Sequence, residues 1–278
     1  WRRLRPRATA LRGRDAWKTV LVGRTINRIH STCAGPEQEV RFDGTRWAMT
    51  KPEGMSPDGA SVNALVDAVT RLRADEWIAD SDDGRFGLTA LSSHGVVELG
   101  CSVELDVVVP GGPRTFMLHL GATHGRSTSR YARTNEDPAV FLAPAGLDGQ
   151  VTALLVDRHG LSCDRAKVDG VTIARRGGGA VTLRKTGGVL AGKDADKILD
   201  ALEQLFADRV ESIGAPDASW GLAQPELTID VDVAGSKKRI LVGAATADGK
   251  ARHARLGGGS ANFLIESKRL DPFFAAAK

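Results

Sequence analysis

Cysteine is scarce in this chain of 278 residues: Cys33, Cys101 and Cys163 are odd in number and far apart, with no C-x-x-C spacing. That excludes a dense disulfide framework and a cysteine-built zinc site, and it leaves the compartment open. Long apolar runs are missing as well. No uninterrupted stretch approaches the roughly 20 residues that would span a bilayer as a helix, so nothing in the chain as given is expected to cross a membrane. The histidines at 30, 94, 119, 124, 159 and 253 show neither H-x-x-x-H nor H-E-x-x-H spacing, which withholds support from zinc chemistry. There is no G-x-S-x-G elbow, and Ser93 beside His94 is mere adjacency, since a triad is an arrangement in space. The chain is therefore not expected to be an enzyme, and no catalytic residue, metal or cofactor is assigned to it.

What is present is a globular composition, with 42% apolar and 26% charged residues and enough length for two domains that each bury a core. The pI near 9.1 is a local property. Residues 1–24 hold Arg2, Arg3, Arg5, Arg7, Arg12, Arg14, Lys18 and Arg24 against Asp15 alone, a balance of +7 in a chain of net +4, so the other 254 residues carry −3. A mildly acidic body with a basic leader does not describe a nucleic-acid-binding domain, and no nucleic acid is expected as a partner. The leader reads as a solvated terminus. The first residue is Trp1 rather than Met, so an upstream segment is expected, and a signal or anchor would lie there.

The second half repeats the first. Phe86-Gly87-Leu88, Leu105-Asp106-Val107, Leu118-His119-Leu120-Gly121-Ala122, Arg130-Tyr131-Ala132-Arg133 and Phe141-Leu142 return in order as Trp220-Gly221-Leu222, Ile229-Asp230-Val231, Leu241-Val242-Gly243-Ala244, Arg252-His253-Ala254-Arg255 and Phe263-Leu264. In the first copy Asp43-Gly44 predicts a hairpin between residues 39–42 and 46–49. A helix comes next, with Ser61 as N-cap and Val62, Leu65, Val66, Val69 and Leu72 down one face. Its counterpart starts at Asp194 and carries Ile198, Leu199, Leu202, Leu205 and Phe206. Alternation at Leu227, Ile229, Val231 and Val233 predicts an antiparallel sheet with one buried and one wet face. Four strands follow each helix, and Leu147-Asp148 and Leu270-Asp271 open short terminal helices. Copy one alone has extra sequence between Leu88 and Leu105.

The expected fold class is α+β: two tandem repeats, each a mostly antiparallel β-sheet packed against one long amphipathic helix plus a short terminal helix. The expected divisions are a basic segment over residues 1–24, a first repeat over 25–154 and a second over 155–278. Phe86 and Trp220 read as core anchors where the chain turns back to the sheet.

Four places invite a chemical reading. Residues 187–194, Gly-Gly-Val-Leu-Ala-Gly-Lys-Asp, satisfy G-x-x-x-x-G-K, but a P-loop needs Ser or Thr where Asp194 stands, so Asp194 reads as an N-cap. Asp80, Asp82, Asp83 and Gly84 resemble the opening of a calcium loop, but Leu91 stands where the bidentate Glu belongs. The aromatic pair Phe86 and Trp220 reads as packing. The fourth place is Arg-x-Ala-Arg, present in both copies as Arg130 with Arg133 and Arg252 with Arg255. Residues three apart on a strand face opposite sides, so the guanidinia do not converge on one anion. These four arginines are the candidate binding residues, as a basic stripe repeated across the two copies.

The residues Trp47-Ala48-Met49-Thr50-Lys51-Pro52, Phe86-Gly87-Leu88, Trp220-Gly221-Leu222-Ala223-Gln224-Pro225, Leu241-Val242-Gly243 and Phe263-Leu264-Ile265 carry a resemblance to a bacterial family, the domain of unknown function 4340 family. The match covers nearly the whole chain and is better in copy two; copy one lacks the usual Pro after Gly-Leu. The resemblance implies an envelope protein, extracytoplasmic and anchored by an N-terminal membrane segment absent from this chain, and accessory to an ABC-type transport or gliding-type system. No catalytic residue is carried over. The expected function is a non-catalytic envelope-associated scaffold or protein-interaction module with a protein partner. The alternative is a ligand-binding module for a small or polymeric envelope molecule in the inter-repeat groove.

Overall fold

The structure, a computed structural model, describes residues 12–33, 35–92, 95–98 and 100–278. The chain divides into two compact units, the first comprising Trp1–Glu53 and Pro57–Leu155, the second Gly54–Ser56 and Val156–Lys278. In unit 1 the order is β1 (Thr25–Ser31), β2 (Gln38–Phe42), β3 (Trp47–Lys51), α1 (Gly59–Thr70), β4 (Glu76–Ala79), β5 (Thr89–Ser92), β6 (Gly95–Glu98), β7 (Cys101–Val109), β8 (Gly112–Thr123), β9 (Arg130–Thr134), β10 (Asp137–Leu142) and α2 (Leu147–Val151). Unit 2 runs β11 (Val168–Arg175), β12 (Ala180–Thr186), β13 (Val189–Ala191), α3 (Ala195–Glu203), β14 (Arg209–Ile213), β15 (Leu227–Val233), β16 (Ser236–Ala245), β17 (Ala251–Leu256), β18 (Ala261–Glu266) and α4 (Ser267–Ala276).

Each unit builds one eight-stranded antiparallel sheet. The strand orders are β3-β2-β1-β7-β8-β9-β10-β4 and β13-β12-β11-β15-β16-β17-β18-β14. Element by element the two orders are the same. The strand after the helix returns to the far edge of the sheet, where β4 pairs with β10 and β14 with β18. The hairpin of β5 and β6 has no counterpart in the second order and stands as a separate two-stranded sheet.

Period-two alternation sets the buried face. Val103, Leu105, Val107 and Val109 of β7, and Leu227, Ile229 and Val231 of β15, are buried, with Glu104, Asp106, Thr228 and Asp230 between them on the other face and Val108 exposed there as well. The turn joining β15 to β16 uses Ala234 and Gly235, both at positive φ (47° and 81°), which suits the right-handed twist of paired strands. The hairpin joining β2 to β3 is closed by the Asp43 carboxylate, which accepts from the main-chain N–H of Thr45 (2.8 Å) and Arg46 (3.0 Å). Helix α1 is capped not by Ser61 but by Asp58, whose carboxylate accepts from the N–H of Ala60 (2.9 Å) and Ser61 (3.3 Å). Asp194 does occupy the N-cap position of α3, but with φ 61° and no side-chain capping bond; it pairs instead with Lys197 at 3.1 Å.

The α+β expectation is overturned: the protein is mostly antiparallel β, about 43% strand against 16% helix, with four α-helices among the described residues. The helices expected to be long end early. α1 stops at Thr70 before Leu72, and α3 stops at Glu203, so Leu205 and Phe206 lie beyond it. The physical reason lies in the main-chain bonds just past each helix. The N–H of Asp75 bonds to Leu142 O and that of Asp208 to Leu264 O, so the chain has already committed to the edge strand of its sheet. A 12-residue helix is also only about 18 Å long, whereas eight strands span roughly 34 Å. The core is accordingly built chiefly from strand residues such as Ile29, Val40, Leu105, Phe116, Leu118 and Phe141, with Val62, Leu65 and Val69 the share of α1. The expectation also missed β1, β4, β11 and β14 as strands.

Candidate functional site

The motifs present in both units converge on one structural node in each. In unit 1 the bend at Phe86-Gly87 lies against Gly121 of β8, and the N–H of Ala122 donates to Phe86 O at 2.9 Å. In unit 2 the bend at Trp220-Gly221 lies against Gly243 of β16. A Cβ on either strand glycine would overlap the carbonyl oxygen of the facing aromatic residue, so a side chain is excluded there. The arginine of the next strand completes the node. Arg130 donates from Nε to Gly121 O at 2.8 Å and pairs with Asp148 at 3.4 Å. Arg252 donates to Gly243 O at 3.1 Å and to Glu226 at 2.7 Å, and its guanidinium lies 4.6 Å from the Phe274 ring centroid. The second arginines differ: Arg255 donates to Gly259 O (2.6 Å), Gly214 O (2.9 Å) and Asn262 Oδ1 (3.2 Å), whereas Arg133 is half-buried opposite His119. Arg130 and Arg252 thus occupy matching places within their own units and spend donors on main-chain oxygens.

Each node carries an aromatic pair. Phe86 meets Tyr131 with centroids 5.0 Å apart, and the Tyr131 hydroxyl lies 2.9 Å from His124 Nδ1. Trp220 stacks on His253 at 4.8 Å and 10°. Burial depresses the His253 imidazole below the usual histidine range, with Glu211 and Asp217 opposing the shift, so the ring is neutral at pH 7 and packs as an aromatic.

The other candidate places resolve into local structure. Asp82 accepts from the N–H of Gly84 (3.0 Å) and from the Thr89 hydroxyl, Asp83 pairs with Arg85 (3.1 Å), and Asp80 pairs with Arg12 (3.2 Å). Among the described residues no three His, Cys, Asp or Glu side chains are grouped to hold a metal ion. Gly187 and Gly188 form the turn between β12 and β13 rather than a loop around a phosphate. Ser93 and His94 lie outside the described residues, as do Arg2, Arg3, Arg5 and Arg7 of the leader. Of the remaining leader cations, Arg12 and Lys18 pair with Asp137 at 3.1 and 3.3 Å, and Arg24 donates to Val20 O at 3.4 Å.

Three features escaped sequence reasoning. First, Cys33 and Cys101 form a disulfide across 68 positions, joining the end of β1 to the start of β7, while Cys163 is buried and free. Second, the wet face of β1, β2 and β7 carries an ion cluster: Arg28 bonds Glu39 (2.8 Å), Glu104 (3.2 Å) and Asp106 (3.3 Å), and His30 meets Glu37 (2.8 Å). Burial alone would raise the Glu39 carboxyl; hydrogen bonds from Arg28, Thr50 and Arg41 outweigh it and lower it to about 2. The signal was legible, since Glu104-Leu105-Asp106 on a strand puts both carboxylates on one face. Third, residues 15–22 wrap the end of α1. Glu136 accepts from the N–H of Lys18 and Thr19 (both 3.0 Å) and from the Thr19 hydroxyl (2.6 Å), and the Trp17 indole donates to Val69 O at 2.7 Å. A cavity of about 360 Å³ lies beside this segment in unit 1, and one of about 420 Å³ lies between α3 and α4 in unit 2.

Two antiparallel sheets of one strand order, each pinned by an aromatic-glycine bend, define a class of two-unit β protein. The model of the domain of unknown function 4340 family matches residues 47–217, well over half of the chain, and the protein belongs to that family. No curated protein and no solved structure gives a significant match.

Proposed function

We propose that this chain is a non-catalytic protein-interaction module working in an oxidising, extracytoplasmic compartment of the bacterial envelope, and that its two units are tandem copies of one ancestral unit. The observation that carries the reading is the fate of what recurs. The aromatic-Gly bend, the strand glycine and the first arginine of Arg-x-Ala-Arg are all consumed in holding strands together, which leaves the outer surfaces as the place for function. Identical strand orders support the duplication. The disulfide between Cys33 and Cys101 supports the compartment, because such bonds persist where thiols are not kept reduced. Family membership supports the envelope assignment.

The test has two arms in the native host. Thiol labelling with a heavy maleimide in intact cells, before and after reductant, reads the state of Cys33 and Cys101; photo-crosslinkers at exposed positions of each unit read the partner. The reading expects both cysteines shielded until reduction and a discrete protein adduct. Free thiols at 33 and 101 in cells would remove the compartment; no adduct from any exposed position would remove the interaction.

A further inference from the structure

We propose that the Cys33–Cys101 bond is a thiol–disulfide exchange site, opened by a thiolate of a dithiol that attacks Cys33 while Arg130 receives Cys101 as the leaving thiolate. The step goes beyond the interaction-module reading and does not depend on it. Both cysteines are half-buried, whereas Cys163 is sealed in the core. The two sulfurs have opposite surroundings. Arg130 Nη1 lies 3.6 Å from Cys101 Sγ, while the main-chain oxygen of Ser102 lies 3.6 Å from Cys33 Sγ. A guanidinium stabilises negative charge developing on a sulfur and a carbonyl oxygen opposes it, so the bond is set to break with its electron pair on Cys101.

The contact is built in. Arg130 is held by main-chain oxygens, from Nε to Gly121 O at 2.8 Å and from Nη2 to Leu120 O at 3.4 Å, which leaves Nη1 aimed at Cys101 and at Asp148, 3.4 Å away. Asp148 competes weakly, because its side chain is 42% exposed against 18% for Arg130 and is the better screened by solvent. Unit 2 shows what the same arginine does without a sulfur. Glu226 stands opposite Gly243 and takes Arg252 at 2.7 Å, whereas the residue opposite Gly121 in unit 1 is Gly100, which has no side chain to offer. The carboxylate is gone, and the sulfur of the next residue takes its place. At the positions matching Cys101 and Cys33, unit 2 has Leu227 and Arg175, and β11 still pairs with β15 from Val168 to Arg175 with no cross-link. The strand register therefore does not require the bond, which leaves it free for exchange.

In the first step one thiolate of the dithiol forms a bond to Cys33 Sγ. The Cys33–Cys101 bond breaks, and its electron pair leaves on Cys101 Sγ beside Arg130. In the second step the other thiolate of the dithiol attacks the sulfur now bound to Cys33 and expels Cys33 as a thiolate. Solvent protonates it, and the new thiol stands next to Ser102 O as its acceptor. Two electrons pass to the chain: the dithiol becomes a disulfide, and Cys33 and Cys101 become thiols. The chain is the substrate of this step and not its catalyst. Opening the bond releases the end of β1 from the start of β7.

The experiment exposes the folded whole chain to reduced glutathione, a monothiol that stops at the first step, then quenches with N-ethylmaleimide and locates the adducts by peptide mass mapping. The expected product carries glutathione on Cys33 and maleimide on Cys101, favoured about tenfold over the opposite arrangement. Dithiothreitol, a dithiol, should carry the folded chain on to two free thiols. Asp148→Asn removes the carboxylate that shares Arg130 and should speed opening severalfold. Arg130→Gln should slow opening and erase the preference, read where a thermal scan shows the variant folded. Glutathione on Cys101, an even split, or opening only in urea that unfolds unit 1 would overturn the proposal. So would a preference unchanged in folded Arg130→Gln. Where that variant does not fold, opening in Asp148→Asn no faster than in the parent would overturn the proposal just as well. None of these outcomes bears on the crosslinking test of the interaction module, so the two readings fail separately.

Discussion

The node at Gly243 makes the sharpest prediction. Gly243 has an ordinary φ, so alanine is conformationally permitted there, and any loss must come from contact. A Cβ would overlap Trp220 O and come within 3.2 Å of both Gly221 C and Leu222 Cδ2. The obstacle is main chain that cannot swing aside as a flexible side chain would. Overpacking in a tight core costs roughly 1–3 kcal/mol, and a main-chain obstacle places Gly243→Ala at the upper end, about 3 kcal/mol. If β16 yields instead, the carbonyl of Gly243 itself moves and the bond it accepts from Arg252 at 3.1 Å is lost as well. At roughly 3 °C per kcal/mol for a chain of this size the melting temperature should drop by about 10 °C. Urea and thermal melts measure the loss, and amide exchange read by mass spectrometry should place it in peptides of β15, β16 and β17. Gly121→Ala should do the same to β7, β8 and β9. Gly149→Ala is the control: it lies in α2 with nothing within 4 Å of the new methyl, and should be neutral or slightly stabilising. A loss below about 1 kcal/mol in Gly243→Ala, or one no larger than that of the control, would refute the close-approach account.

Glu136→Ala should cost about 2 kcal/mol, because a carboxylate only 7% exposed loses two main-chain N–H donors and a hydroxyl; limited trypsin digestion should show faster cleavage after Lys18 and Arg24. Replacing Cys33 and Cys101 by serine opens a loop spanning 68 positions, worth roughly 4 kcal/mol in the chain-entropy model, and a non-reducing urea melt should register it while Cys163→Ser leaves the disulfide intact. On the acid side, the Glu39 carboxyl is depressed to about 2, so its contribution is whole above the ordinary carboxylate range and is lost as pH falls towards 2. Glu39→Gln should flatten that limb of the stability curve. His253 is also depressed, by burial, so its neutral ring favours folding fully above about pH 6.5 and less as pH falls below that; His253→Phe should remove this step in a pH series of thermal melts.

Much of the fold was legible where a residue type has one physical job. Alternating Leu227, Ile229 and Val231 gave β15, and Ala234-Gly235 gave the turn after it, because period two and positive φ leave few options. The fold class was misread because helical periodicity persists past the real helix ends. Leu72, Leu205 and Phe206 continue the apolar spacing but belong to the turn into an edge strand, a choice made by main-chain bonds to β10 and β18 from more than 55 positions away. β1 and β11 were missed for a related reason. Thr25–Ser31 and Val168–Arg175 mix charged and apolar residues, and their strand character comes from lying between two neighbours in the sheet. The disulfide was illegible for want of the same register, since only the pairing of β1 with β7 brings positions 33 and 101 together.

The candidate residues show why recurrence points to packing. Arg130 and Arg252 recur because the carbonyl of the strand glycine facing the bend, Gly121 or Gly243, must be satisfied in each unit, and a guanidinium can serve that oxygen while reaching a carboxylate on its other side. A surface that recognises a partner is under no such demand to appear twice. The connection before the first strand of each sheet is tied down in both units, but by different bonds: Arg165 pairs with Asp196 and Asp200 in unit 2, whereas in unit 1 the Trp17 indole donates to Val69 O, Arg73 pairs with Asp15 and Glu136 holds Thr19, with Val20 and Val22 left exposed. Two sheets can therefore share a strand order and still differ in the surface they present, because the difference is carried by a segment whose anchoring is separate from the node. If that separation is real, Glu136→Ala should speed amide exchange in residues 16–22 far more than in β7, β8 and β9. Gly121→Ala should do the reverse, loosening those strands more than residues 16–22. Equal loosening of both regions in both variants would show that segment and node are one cooperative unit, and the division between them would have to be given up.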